Sequence, residues 1–301
     1  MITDCYPTVL PWADPSILWI AENVRATWLT PFVRAVSYLG KMGPILFVLS
    51  LAYWFWNKQT AKYLIYGMFA SFLINLWLKG IVMECRPPST FWLDTIRDNS
   101  YSFPSGHAQV TILIWCGFAY YVRSKWLSVL FVTIGLMISL SRPYLGVHYL
   151  HDIAAGAWLG LVILGMAIFF QKKEIDLLRA LPFWGKIFVL FGFYLLYMLC
   201  VNDSTGLTAI GVGASFGFWL GCQGEAKLLN YHPCPNYRIQ LVQCLIGVGM
   251  IGLLWKGGDL WRHSLPPSMS LAVKYCQYAL LGAWISFGAP KIFTLFPSSK
   301  S

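Results

Sequence analysis

Polar positions are sparse along this chain, and they divide it into uninterrupted apolar runs instead of alternating faces. Apolar residues fill 44–56, 61–83, 108–122, 126–140, 153–170, 187–201, 207–222, 239–255 and 271–288. A helix that is apolar all round is surrounded either by a large core or by lipid. Nine such runs therefore predict nine membrane-crossing helices. Several are shorter than the ~20 residues that cover the hydrocarbon, so flanking Trp and Tyr are expected to extend them into the headgroup layer. Residues 15–40 also carry apolar positions, but Glu22, Asn23, Arg25 and Arg34 interrupt them. Four polar groups are costly to shelter at membrane depth, and the pattern predicts an amphipathic helix in the interface. The expected fold is all-α, a polytopic membrane helix bundle of about nine transmembrane helices with an N-terminal interfacial helix. Its expected divisions are an N-terminal segment 1–43, a central region 44–170 and a four-helix membrane region 171–301.

Composition agrees with the pattern. The chain of 301 residues is 57% hydrophobic and 11% charged, whereas soluble domains carry about 25% charged residues. A water-facing surface so poor in charge would aggregate without lipid over it. The 22 basic and 12 acidic residues give a net charge of +10, but the basic residues are scattered between apolar runs and form no dense patch. Nucleic acid is not the expected partner. The charge suits anionic lipid headgroups and an anionic substrate. Of eight cysteines, Cys116, Cys200, Cys222, Cys244 and Cys276 fall within or beside apolar runs and read as small core residues. With no C-x-x-C pair, no structural zinc site is expected. The N-terminus lacks the positive start and short apolar core of a signal peptide, so no cleaved leader is expected.

If each run crosses once, segments 84–103 and 141–152 share one side of the membrane. The turns 57–60 and 123–125, with 171–186, share the other. That second side holds Lys58, Arg123, Lys125, Lys172, Lys173, Arg179 and Lys186, which the positive-inside rule assigns to the cytoplasm. Arg25, Arg34 and Lys41 run against this assignment.

The chemically unusual residues gather on the opposite, non-cytoplasmic face, periplasmic or lumenal. Lys79 ends the second run and Arg86-Pro87 follow after six residues; Pro104-Ser105-Gly106-His107 precede the third run. Ser141-Arg142 lead by five residues to His148 and by three more to Asp152. Cations at the membrane edge require an anionic partner. Lys79, Arg86 and Arg142 suit a phosphoryl group, since Arg forks two hydrogen bonds to its oxygens and Lys offers a point charge. Ser105 and Gly106 before a helix start add a hydroxyl and backbone N–H groups aimed at an anion. This clamp needs no metal and no cofactor. His148 and Asp152, four apart, share a helix face, so the carboxylate can fix the imidazole tautomer of a nucleophile. His107 would protonate the leaving oxygen and later activate water.

The three blocks resemble the signature of the type-2 phosphatidic acid phosphatase superfamily: lysine, six residues, Arg-Pro; Pro-Ser-Gly-His; and Ser-Arg, five residues, histidine, three residues, aspartate. All eleven fixed positions occur in order, and the likeness spans about residues 60–170. The resemblance implies a metal-independent hydrolase of phosphomonoesters or pyrophosphates, with the central region catalytic. It implies a phospho-histidine at His148 relayed by Asp152, a general acid at His107, and phosphate ligands at Lys79, Arg86, Ser105, Gly106 and Arg142. The layout is also similar to glucose-6-phosphatase, as are Trp92-Leu93-Asp94-Thr95 and Leu265-Pro266-Pro267-Ser268. The terminal aspartate of the third block and the short loop between the first two match the lipid-phosphatase pattern more closely.

Simpler roles are expected elsewhere. His151 reads as an interface residue, Glu84, Asp94 and Asp98 as solvated loop charges, and His232 and His263 as structural. Glu225 is given no role. Gly213, Gly217 and Gly221 present a small-residue face that suits packing within the chain, with a homodimer seam as the alternative. Against an enzyme of lipid phosphates stand a glucose-6-phosphatase-like sugar phosphatase, a phosphotransferase using the same intermediate, and a lipid transporter or scramblase whose cations line a path. Transport has no need of two histidines and an aspartate.

Overall fold

The computed structural model describes residues 6–7, 13–94, 100–173, 182, 184–185, 206–264 and 266–296. Among them the chain is all-helical, with one isolated bridge between Tyr6 and Glu84 and no strand. The helices are α1 (Ala13–Asn23), α2 (Thr30–Tyr38), α3 (Met42–Leu51), α4 (Lys58–Val82), α5 (Gly106–Tyr121), α6 (Lys125–Tyr144), α7 (Leu150–Lys173), α8 (Leu207–Gly224), α9 (Tyr237–His263), α10 (Pro267–Ala283) and α11 (Ala289–Phe293). Polar residues placed just before the apolar runs start several of them. The side chain of Asn57 accepts from Thr60 N at 2.9 Å, Ser124 from Leu127 N at 3.4 Å, and Asn236 from Arg238 N at 2.9 Å. Each satisfies a backbone donor that the first turn leaves open.

Among the described residues four helices, α4, α6, α7 and α9, are long and apolar enough to cross a membrane. A fifth crossing results if α2 and the segment Met42–Trp56, bent by 54°, act as one span. The expected runs at 108–122 and 271–288 form helices of 16 and 17 residues, and the run 187–201 lies outside the described residues. In place of one interfacial helix over 15–40 there are two, α1 and α2, both packed against α6. The arginines that interrupt this region reach back to loop carbonyls. Arg25 donates to Tyr144 O at 2.9 Å and Phe91 O at 2.7 Å, and Arg34 to Leu93 O at 2.9 Å.

The chain forms two compact units, Met1–Leu46 with Tyr63–Ile175, and Phe47–Lys62 with Asp176–Ser301. In the first, α5 is the centre, packed between α6 and α7. Glycines at 156 and 160 let α7 lie directly on the α5 backbone, because a Cβ at either would press on the carbonyl oxygen of Ser105 or Gln109. The outward sides of α6 and α7 expose Val129, Leu136, Leu140, Trp158, Leu161, Met166 and Phe169, as lipid-facing helices do. Alternation of direction brings the C-terminal ends of α4 and α6 and the N-terminal ends of α5 and α7 to one end of this unit.

In the second unit α8 and α10 meet with almost no side chain between them. A Cβ at Gly213 or Gly217 would strike the carbonyl oxygens of Tyr275 and Ala279, and one at Gly221 the Ser286 hydroxyl. The face of these three glycines is thus filled by the same chain. Trp54 Nε1 donates to Ile285 O at 2.8 Å. Glu225 is buried and accepts from Lys58 Nζ at 2.8 Å and Tyr231 N at 2.7 Å, which gives this carboxylate a structural role.

Candidate active site

Asn75 and Lys79 sit one turn apart on α4 and hold the segment that leads into α5. Asn75 Nδ2 donates to Pro104 O at 3.1 Å and Gln109 Oε1 at 2.9 Å, while Gln109 Nε2 donates to Ser71 O at 3.1 Å. Lys79 Nζ donates to Ser102 O at 3.0 Å and to Tyr101 O. Ser105 caps α5 through Ala108 N, and its own N–H donates to Asp152 O at 3.1 Å, which ties the start of α5 to the first turn of α7. Between α6 and α7 the chain turns at Gly146, where φ is +73° and a Cβ would strike Phe91 O. Glycine alone adopts this left-handed conformation without strain. The turn delivers His148 against the loop that carries Arg86.

His148 and Asp152 are buried, with Nδ1 of the imidazole 3.1 Å from Oδ2 of the carboxylate. The same Oδ2 accepts from Ser102 Oγ at 2.5 Å and Tyr149 N at 2.9 Å. On the other side of the ring, Arg86 Nη1 lies 3.0 Å from Nε2. A guanidinium has donors only, so Nε2 must be the acceptor and Nδ1 carries the proton given to Asp152. The lone pair needed for nucleophilic attack is therefore on Nε2, facing a cation. Arg86 is itself fixed by Ser100 O at 2.8 Å, Ser100 Oγ at 2.9 Å and Val147 O at 2.8 Å. Burial, and after it the charges of Arg86, Lys79 and Arg142 with His107, pushes the His148 imidazole well below its ordinary value of 6.5. The free imidazole is neutral at neutral pH.

Arg142, in the last turn of α6, donates from Nη1 to Ser37 Oγ at 2.7 Å and to Asp94 Oδ2 at 3.2 Å. Its Nε and the Nε2 of His107 are buried polar atoms without a hydrogen-bond partner in the protein. Unsatisfied polar atoms beside Lys79, Arg86 and a helix N-terminus are what an oxyanion would satisfy.

Three residues expected to be peripheral belong to this centre. Glu84 is not a solvated loop charge: it is fully buried, with both oxygens 2.9 and 3.0 Å from His151 Nε2. Neither is His151 an interface residue, since its ring stacks on Tyr149 and Phe103, 5.5 and 5.9 Å between centroids. Asp94 pairs with Arg142. Asp98 lies outside the described residues, as does the His263 side chain, and His232 is exposed. Glu84, His151 and Asp152 bring donor atoms within 4.8 Å of one another, the spacing of a metal site. The direct bonding of His151 Nε2 to the Glu84 carboxylate accounts for that grouping. Cys85, between Glu84 and Arg86, is disulfide-bonded.

A family model described as the PAP2 superfamily matches residues 60–176, and a second, PAP2 superfamily phosphatase, transmembrane extension, matches residues 209–301. The chain belongs to the PAP2 superfamily. It is an integral membrane phosphatase, a phosphoric monoester or diphosphate hydrolase. Phosphatidylglycerophosphatase B of Bacillus subtilis is 26% identical over 54% of this chain and 84% of its own length. Undecaprenyl-diphosphatase of Sulfolobus acidocaldarius is 31% identical over 40% of this chain and 63% of its own. A crystal structure of a transmembrane PAP2 type phosphatidylglycerolphosphate phosphatase from Bacillus subtilis aligns at 24% identity over 55% of this chain and 87% of that one, with a TM-score of 0.47.

All eight site residues named from the PAP2 blocks lie at the same end of one compact unit. Ser102, Asn75 and Glu84 were missed as members of the site. Asn75 had a signal, an amide inside an apolar run four positions before Lys79. Ser102 had none, because a serine in a loop is unremarkable until its neighbours are known.

Proposed function

We propose that this phosphatase hydrolyses a phosphorylated or diphosphorylated lipid through a covalent phospho-histidine at His148, without a metal, on the non-cytoplasmic face of its membrane. One observation carries the reading: Nδ1–H of His148 is held by Asp152 while Nε2 is an unprotonated acceptor toward Arg86 Nη1, whose N–H can pass to a phosphoryl oxygen when substrate binds.

When the phosphoryl group enters, Lys79, Arg86, Arg142, the Ser105 hydroxyl and the backbone N–H of Gly106 engage its oxygens. The Nε2 lone pair of His148 attacks phosphorus, the bond from phosphorus to the leaving oxygen breaks, and His107 gives that oxygen a proton. The imidazole becomes cationic as the N–P bond forms, and Asp152 stabilises that charge through Nδ1–H. Water then attacks the phosphorus. His107 takes the proton from the water, the N–P bond breaks, and inorganic phosphate leaves with His148 neutral again. Fixed cations and oriented backbone donors supply the transition-state stabilisation that phosphoryl transfer requires.

The names of the relatives support a lipid substrate, since they act on phosphatidylglycerophosphate and undecaprenyl diphosphate. The disulfide at Cys85, beside Arg86, supports the non-cytoplasmic assignment because disulfides persist in oxidising compartments. In this reading α3, α5, α8 and α10 join α4, α6, α7 and α9 as spans, eight among the described residues, with α1 and α2 at the interface over the site.

The test measures phosphate release from phosphatidylglycerophosphate, undecaprenyl diphosphate and glucose 6-phosphate in mixed micelles, with the phosphoenzyme trapped from a radiolabelled lipid. The expected result is an acid-labile adduct absent from His148→Ala, which loses turnover while keeping its melting temperature. More than a few per cent of activity in His148→Ala overturns the covalent route. Glucose 6-phosphate turned over as efficiently as the best lipid overturns the lipid reading.

A further inference from the structure

Asp152 is served unequally on its two oxygens. Oδ2 receives Ser102 Oγ, Tyr149 N and His148 Nδ1. Oδ1 has no hydrogen-bond partner, and the nearest cationic group is His151 Nε2 at 3.4 Å. That same Nε2 is bonded to Glu84, so the imidazole stands between two carboxylates that are both fully buried. Two buried carboxylates cannot both remain charged cheaply without a donor between them.

The surroundings hold this arrangement rigid. His151 is stacked between Tyr149 and Phe103. Glu84 is fixed through its backbone: Ser102 N donates to Glu84 O at 2.8 Å, and on either side Tyr6 N donates to Met83 O at 2.8 Å and Cys85 N to Tyr6 O at 2.7 Å. Ser102 therefore joins the Glu84 backbone to the Asp152 carboxylate. Neither Glu84 nor His151 belongs to the three motif blocks, and neither touches His148 in the described contacts.

We propose that Glu84 and His151 form a positioning pair that keeps Asp152 ionised and oriented toward His148 while the His148 imidazole becomes cationic. The inference rests on the phospho-histidine reading above. Glu84 fixes the His151 ring, His151 presents its N–H edge to Oδ1, and Oδ2 is left to the donor of His148. The pair acts after substrate is bound, so it governs kcat and leaves KM unchanged.

Three variants test the pair in full-length protein. Glu84→Gln keeps an acceptor for His151 and removes the charge; Glu84→Ala removes both; His151→Phe keeps the aromatic stack and removes the donor. Residues that orient metal-ligating histidines through hydrogen bonds are worth about tenfold to a hundredfold in activity, and by analogy a loss of about that size in kcat is expected for Glu84→Ala and His151→Phe, with KM within about twofold. Glu84→Gln should recover part of it. In an Asp152→Asn background the same substitutions should change kcat by less than about twofold, because their target charge is already gone. Wild-type kcat in folded His151→Phe and Glu84→Gln overturns the proposal, as does an equal proportional loss in both backgrounds. Loss of wild-type activity in chelator, restored by zinc, would make the cluster a metal site and overturn it too. Trapping the labelled intermediate separates the two levels: no adduct in wild type refutes the phospho-histidine reading, whereas an adduct with undisturbed Glu84 and His151 variants refutes the positioning pair alone.

Discussion

Replacing Asp152 by Asn changes one charge and, in this site, little else. The Tyr149 N–H donates to Oδ2 at 2.9 Å, so an amide at position 152 must turn its oxygen to that side or place two donors against each other. With the oxygen there, Ser102 Oγ and His148 Nδ1 also keep their acceptor. The imidazole tautomer therefore survives, and Nε2 stays an unprotonated acceptor toward Arg86. What is lost is the charge that supports His148 when it becomes cationic. A hydrogen bond to a charged group contributes about 1.5–3 kcal/mol against about 0.5–1.5 for a neutral one, so the loss is about 1–2 kcal/mol. That corresponds to about fivefold to thirtyfold in rate. Asp152→Ala would instead strand three buried donors, each costing about 1–3 kcal/mol, and its activity would report misfolding. The assay is single-turnover phosphate release at saturating lipid, with melting temperature measured in the same detergent. A loss as complete as that of His148→Ala would refute the reasoning, because it would mean the carboxylate takes the proton itself or that the tautomer had inverted. An unchanged rate would refute it from the other side.

Three further outcomes follow from the structure. The His148 imidazole is pushed well below its ordinary 6.5 in the folded protein, so kcat/KM, corrected for substrate ionisation, should show no titration of the His148 nucleophile at or above 6.5. The unfolded histidine gains its proton near its ordinary value of about 6.5 and the folded one does not, so the melting-temperature advantage of wild type over His148→Gln should shrink as pH drops below about 6.5; a growing advantage would contradict the assignment. Gly146→Ala forces a side chain into a left-handed conformation at φ +73° and against Phe91 O. It should cost more than the about 1–2 kcal/mol of the backbone strain alone, read as a lower melting temperature, while Gly165→Ala, with open space around it, should cost nothing. An impermeant thiol reagent should reach Thr90→Cys from outside intact cells and Lys125→Cys only after permeabilisation, in a background with the exposed Cys276 changed to Ser. The reverse order would invert the topology.

The catalytic motif was legible because its chemistry requires unusual residues at fixed spacing, and cations at a membrane edge stand out against an apolar background. Helical content was legible for the same reason. The rest of the site was hidden by the rule that made the motif visible, which treats loop acids as solvated unless something says otherwise. Glu84 and Asp94 have solvated-looking sequence neighbours, and only the folded loop shows that each faces a buried base. The aromatic residues of the site loops were misjudged in the opposite direction. Flanking Tyr residues are expected in the headgroup layer, yet Tyr144 and Tyr149 are buried, Tyr149 against His151 and Tyr144 against the N-terminal segment through Ala26 and Thr30. Arg25 and Arg34 oppose the positive-inside count, and their bonds to Tyr144 O, Phe91 O and Leu93 O give them a packing role in the loops around the site. A charge count reads each cation as a topological signal. Two of these instead neutralise backbone carbonyls of the loops around the site, so on this face the count measures packing as well as orientation. Lys58 in the opposite turns does the same, donating to Tyr231 O and to Glu225, so the proposed orientation rests on the basic residues at 123–125 and 172–173.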